Sequence, residues 1–175
     1  MSMATKTKWN LDTAHSEISF KVKHMMISTV TGHFENFTAS AESDNDDFIN
    51  ADFSFSAKTN SINTKNSDRD AHLKSDDFFN AEKYPELQFK STSFDGETLL
   101  GNLTIRDITN EIKLDVDFNG IAVDPYGQTK AGFEATGALN RKDFNLTWSS
   151  VTESGNIVVS DSVKLIINIQ FIKSV

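Results

Sequence analysis

Apolar and polar residues alternate at every second position through most of this 175-residue chain. Ile18, Phe20 and Val22 alternate with Ser19, Lys21 and Lys23, and Phe53 and Phe55 with Asp52, Ser54 and Ser56. Leu87 and Phe89 alternate with Gln88 and Lys90, and Ile112, Leu114, Val116 and Phe118 with Lys113, Asp115, Asp117 and Asn119. Val163, Leu165, Ile167, Ile169 and Phe171 fall on one face of a last strand. A period of two sends neighbouring side chains to opposite faces, so each segment predicts an antiparallel strand with one dry and one wet face.

Turn residues punctuate these strands. Asp95-Gly96 predicts a hairpin between Phe89–Phe94 and Leu99–Ile105. Asn119-Gly120 is expected to close the next strand, and Ser154-Gly155-Asn156 to precede the last one. In Asp124-Pro125-Tyr126-Gly127 the proline fixes φ and the glycine permits positive φ, which makes a turn. One stretch, Ser67 to Lys74, has no such alternation and predicts a short helix. Ser67 is its expected cap, with Asp70 at the third helical position. A second short turn is expected from Ser75 to Phe79, and Tyr84-Pro85 ends the region. The fold class that follows is all-β: an antiparallel up-and-down barrel of about eight strands, with one or two short helices around residues 67–82. Closure of such a barrel removes exposed sheet edges.

Composition narrows the function. The absence of cysteine excludes disulfides, a thiol nucleophile, Cys-ligated zinc and iron–sulfur clusters. Twenty-five Asp and Glu against 17 Lys and Arg give a net charge of -8. That leaves no overall basic footprint for nucleic acid and disfavours anionic membrane surfaces. No apolar run approaches the roughly 18 residues of an integral membrane segment. Length sets one domain, expected over residues 9–175 behind a flexible N-terminus at 1–8. The lysines of Met1 to Lys8 are not followed by an apolar stretch of the secretory kind. The expected location is therefore cytoplasmic, with the periplasm the alternative if a leader has been removed. Fourteen Phe against 2 Tyr and 2 Trp suit either a dry core or the lining of an apolar ligand site.

Few residues could carry chemistry. His15, His24 and His33 recur every nine residues, but no short-range ligand pair accompanies them, so no metal site is expected. His24 has the parity of Ile18, Phe20 and Val22 and should face inward, either as a satisfied core histidine or as a contact to a polar ligand atom. Arg69 and His72 share a helix face; they could meet an anionic head group or pair with Asp68, Asp70, Asp76 or Asp77. Arg141 and Lys142 beside Asp143 could hold a phosphate or fix a strand-end turn by an Arg–Asp pair. There is no nucleophile elbow, P-loop or dinucleotide fingerprint, and no catalytic residue is assigned.

Several blocks taken in order are more specific. The chain opens with Trp9-Asn10-Leu11-Asp12-Thr13-Ala14-His15-Ser16-Glu17-Ile18-Ser19-Phe20, then Val22-Lys23-His24-Met25 and Val30-Thr31-Gly32-His33-Phe34. The middle carries Ser61-Ile62-Asn63-Thr64, Arg69-Asp70-Ala71-His72-Leu73-Lys74-Ser75, Asp77-Phe78-Phe79, Lys83-Tyr84-Pro85 and Phe89-Lys90-Ser91-Thr92. Gly101-Asn102-Leu103-Thr104-Ile105, Asp124-Pro125-Tyr126-Gly127, Gly132-Phe133-Glu134-Ala135 and Asn140-Arg141-Lys142-Asp143-Phe144 complete the set. From Trp9 to Phe171 the chain resembles the YceI-like family of lipocalin-like polyisoprenoid-binding proteins. It departs from the family pattern at turns: Arg106-Asp107 follows Ile105 where a glycine is usual, Asn145 follows Asp143-Phe144, and Ser160 stands between Val159 and Asp161.

The resemblance implies a long apolar channel, a homodimer and a carrier of isoprenoid chains such as polyprenyl pyrophosphates or quinones. The expected function is non-enzymatic binding, transport or storage of such a lipid, with no cofactor other than the bound isoprenoid as ligand. The expected wall is Phe20, Val22, Phe53, Phe55, Phe89, Leu103, Ile105 and Phe133. His24, Arg69, His72 and Arg141 are the head-group candidates. Two alternatives stand beside this reading: an enzyme acting on a lipid through His24, and a ligand-free stress or interaction module whose Phe side chains fill the barrel.

Overall fold

The computed structural model describes residues 6–149 and 158–174, so Ser154-Gly155-Asn156 lies outside the described residues. The strands are β1 (Thr7–Leu11), β2 (Glu17–His24), β3 (Ser28–Phe34), β4 (Phe37–Ser43), β5 (Asp52–Lys58), β6 (Ile62–Asn63), β7 (Glu86–Phe94), β8 (Thr98–Ile105), β9 (Ile108–Val123), β10 (Thr129–Asn140) and β11 (Ser162–Lys173). Neighbours run β1-β4-β5-β7-β8-β9-β10-β11, and β11 returns to β1. That closes an antiparallel ring of eight. β2 lies along β11 beyond β1, β3 along β2, and β6 along β3. The pairs β1/β2, β3/β4 and β5/β6 are thus single staves, each broken midway. The chain belongs to the up-and-down class that its alternation predicts. β1 begins at Thr7, inside the stretch expected to be flexible, and Thr7 and Lys8 pair with Ser43 and Glu42.

Two local expectations are corrected. Asn119-Gly120 does not end a strand, because β9 runs through it. Phe133 pairs with Phe118 and Gly132 with Gly120, so Asn119 is one extra residue, accommodated by Gly120 at φ 100°. Positive φ serves a β-bulge as well as a turn. The helix α1 (Ser67–Lys74) is capped by Asn66, not Ser67. Asn66 keeps an extended backbone and its side chain accepts the Arg69 N–H at 3.0 Å, whereas Ser67 is already helical. Residues 75–79 form the short turn expected there, and α1 is the one α-helix among the described residues.

Two devices fill the ring. β6 pairs on one side only, with β3, so the sheet splits between β6 and β7. α1 and the turns after it cover the split with Leu73, Phe78 and Phe79. Arg106, with left-handed backbone (φ 56°) in the β8–β9 turn, ties those turns down by donating to the carbonyls of Asp76 (2.9 Å) and Phe78 (3.1 Å). At the β4–β5 end, the loop after the solvated acids turns inward at Phe48, which is 0% exposed. Its ring lies 4.9–5.2 Å from those of Trp9, Phe118 and Phe133. Phe53 and Phe133 continue the cluster to Phe171. Phe48 holds a left-handed backbone (φ 61°) to reach this place, a strain that burial of a whole ring outweighs.

Candidate functional site

Inside the barrel lies a cavity of about 230 Å³ whose accessible surface is wholly apolar. For scale, a dry cavity of about 150 Å³ lined by Leu, Ile and Phe takes up benzene. The alternating positions of all the long strands face it. The structure places Phe20, Val22, Phe53, Phe55, Phe89, Leu103, Ile105 and Phe133 on its wall, together with Leu114, Val116 and Leu165. Leu73, Phe78 and Phe79 also line it, from a region whose sequence has no strand periodicity to mark them.

Two glycines keep the lumen open. Gly32 stands opposite Phe20 on the neighbouring strand, and a Cβ there would run into the Phe20 ring. Gly101 stands likewise under the ring of Phe89. With no side chain beneath them, both rings lie back against the wall. Nothing in the alternation distinguishes these glycines from turn glycines.

Among the described residues that line the cavity, Arg141 is the one charged group. It opens the 3-10 turn Arg141–Phe144 that follows β10 and is 2% exposed. Its guanidinium donates to the carbonyls of Ser160 (3.0 Å), Leu146 (2.7 Å), Trp148 (2.6 Å) and Val159 (3.4 Å). Asp161 lies 3.6 Å from Nη2. The Arg141–Asp143 pair considered from sequence is not the fixing contact, since carbonyls from the following loop fill the guanidinium fork. Burial lowers the guanidinium's proton affinity and the Asp161 charge raises it, but an arginine stays charged in either case. A cation therefore stands at the end of the barrel opposite Phe48, beside an apolar lumen.

The other head-group candidates lie elsewhere. His24 is exposed and outside the cavity lining, so its inward orientation is corrected. β2 ends there, paired with Ser28 of β3 and bridged to Val159. Arg69 donates to Thr64 Oγ1 (2.8 Å) and Thr64 O (2.6 Å), while Asp70 accepts from Thr64. This staples α1 to β6. His72 meets Asp77 at 2.8 Å and stands edge-on to Phe78 and Trp148. Neither Arg69 nor His72 reaches the lumen. His15 pairs with Asp12 and His33 with Glu35, and among the described residues no three His, Asp or Glu side chains converge as metal ligands.

One further ionic cluster lies outside the lumen. Asp12 accepts from Lys130 at 2.6 Å and from His15 at 2.8 Å, and Lys130 also lies 3.3 Å from Asp124. Burial pushes the Asp12 carboxyl up, but the hydrogen bonds from Lys130 and His15 outweigh it and hold the group below its usual range. The same bond raises Lys130. This seam joins the end of β1 to the start of β10.

Comparison with known proteins matches this architecture. A family model described as the YceI-like domain matches residues 9–171. A UPF0312 protein of Staphylococcus aureus strain N315 is 36% identical over 166 residues, covering 94% of this chain and 97% of the relative. The crystal structure of a Campylobacter jejuni YCEI protein is similar with a TM-score of 0.73 at 33% identity, covering 100% of both chains. A polyisoprenoid binding domain from Saccharophagus degradans, implicated in plant cell wall breakdown, shares the fold with a TM-score of 0.70 at 14% identity, covering 95% of this chain and 98% of that one.

Proposed function

Because the chain belongs to the YceI-like family, we propose that its barrel binds an isoprenoid or similar amphipathic lipid and carries or stores it without chemical change. The observation that carries this reading is the wholly apolar lumen with one buried cation at one end. The chain of the lipid lies along Phe20, Phe55, Phe89 and Phe133. Its polar or anionic head lies at the Arg141 end. Each methylene taken from water contributes roughly 0.8 kcal/mol, so the part of the hydrocarbon that enters the lumen needs no specific polar contact to be held. Among the described lining residues, the polar ones besides Arg141 are Ser19 and Ser54, which supply no general acid or base for turnover. The polyisoprenoid-binding neighbour supports the ligand class by analogy of fold.

The test is mass spectrometry of the purified protein, native and after organic extraction. A stoichiometric lipid of isoprenoid mass is the expected result. If isoprenoid lipids added to the ligand-free protein leave its native mass unchanged, the reading fails. Product formation from such a lipid would move the protein to the enzymes.

A further inference from the structure

We propose that the β2–β3 hairpin is a docking tip that sets the Arg141 end of the barrel against an anionic lipid bilayer. The turn from His24 to Ile27 is closed by the Ile27 N–H donating to His24 O at 3.1 Å. Its central residues, Met25 and Met26, both adopt left-handed backbone, with φ of 53° and 59°. Two consecutive positive φ angles in a hairpin turn are the place of Asn-Gly, and bulky residues there are disfavoured by their own Cβ. This chain puts methionines there, and leaves Met26 61% and Ile27 81% exposed. Strain of this kind persists where the residues serve something other than the turn.

Charge says what the tip faces. Residues 18–34 and 162–173, which make up nearly all of β2, β3 and β11, contain four lysines, two histidines and no carboxylate. Lys21 and Lys164 stand directly opposite each other on paired strands, and both are exposed with Lys23. Like charges across a ladder oppose the fold but suit an anionic plane, where each lysine adds attraction. The net charge of -8 does not cancel this, because charges beyond about 8 Å are screened at physiological salt. Of the acids described beside Arg141, Asp161 lies within 3.6 Å of both Lys142 and Arg141, and Asp143 stands in the same 3-10 turn as these two cations. Of the other exposed apolar side chains, Ile121, Val123 and Tyr126 lie near Asp124, where Lys130 is already held by Asp12 and Asp124, and Ile49 follows the acids Asp44, Asp46 and Asp47.

The tip is also joined to the lumen. Met25 N–H donates to Val158 O, and the next residue, Val159, lines the cavity and accepts from Arg141. Val22 and Val163, on the inner faces of the same strands, line it as well. A bilayer held at Met26 and Ile27 is therefore next to the end where the head group is placed. The proposal rests on the carrier reading for its purpose alone. Docking is measured on the lipid-free full chain, so failure of one leaves the other standing.

The experiment is flotation with vesicles of phosphatidylcholine alone and of phosphatidylcholine with phosphatidylglycerol. The native chain is expected to float with the anionic vesicles and to be released by salt. Lys21→Glu replaces a repulsion with an attraction inside the sheet, so the fold is kept while binding falls about tenfold. Met25→Asn with Met26→Gly gives the turn its preferred residues, so Tm holds or rises while binding is lost. Equal recovery on neutral and anionic vesicles, no recovery on either, or unchanged binding by both variants would each overturn the proposal. So would a tip variant that converts a dimer to monomer with vesicle binding intact, because the tip would then belong to a second copy of the chain.

Discussion

The two ends of the barrel are closed by opposite means. At the β4–β5 end, Phe48 enters a set of aromatic rings that includes Trp9, Phe53, Phe118 and Phe133. At the other end, Arg141 gathers four backbone carbonyls of the segments around Leu146–Trp148 and Val159–Ser160. The first closure is dry and non-directional, and excludes water from the end of the lumen. The second is directional and charged. The lumen is thus closed by rings at one end and borders a buried cation at the other, and the proposed function gives an amphipathic ligand one orientation in it.

The largest effect is expected from removing the aromatic plug. Phe48→Ala deletes a fully buried ring and should cost about 4 kcal/mol in denaturant unfolding. A cost below about 1 kcal/mol would mean that this end closes without the ring. Arg141→Ala should cost about 3 kcal/mol, since it leaves buried carbonyls without donors. Arg141→Lys should restore little of it, because one ammonium cannot fill a five-donor fork. If the lysine variant matches the native chain, the end needs only a charge.

Between the two ends, Gly32→Ala tests what keeps the lumen open. It should push the Phe20 ring inward, cost about 2 kcal/mol and lower lipid capacity more than stability. Unaltered capacity would show that Phe20 does not border the ligand path. The smallest effect is a pH dependence at the seam outside the plugged end. Asp12 sits below its ordinary value of 3.8 when folded, so its contribution is complete above that pH and is lost as the pH falls through the lower folded value. The stability gap between the native chain and Asp12→Asn should therefore narrow as urea unfolding is taken from pH 5 to pH 3. A constant gap would remove the Lys130 and His15 bonds as its cause.

The wall was legible because period-two alternation is a physical property of any half-buried strand, and Phe20, Phe55 and Phe133 needed no partner to be placed. What closes the wall was not. Phe48 follows a run of acids in a loop, where no periodicity marks a buried residue. The partners of Arg141 are carbonyls, which every residue has, so sequence gives no sign of them. Parity misplaced His24 because it assumes that the strand continues, and β2 ends at that position with the side chain exposed. Asn119-Gly120 misled because the same positive φ makes both a turn and a bulge. Arg69 and His72 share a helix face as their spacing requires, but their nearest partners are local.

The central claim, a lumen with polarity, is tested most directly by a crystal structure of the protein with a polyprenyl diphosphate. The account predicts the hydrocarbon against Phe20, Phe89 and Phe133, and the diphosphate at the Arg141 end. A head group at the Phe48 end, or a ligand bound outside the barrel, would contradict it.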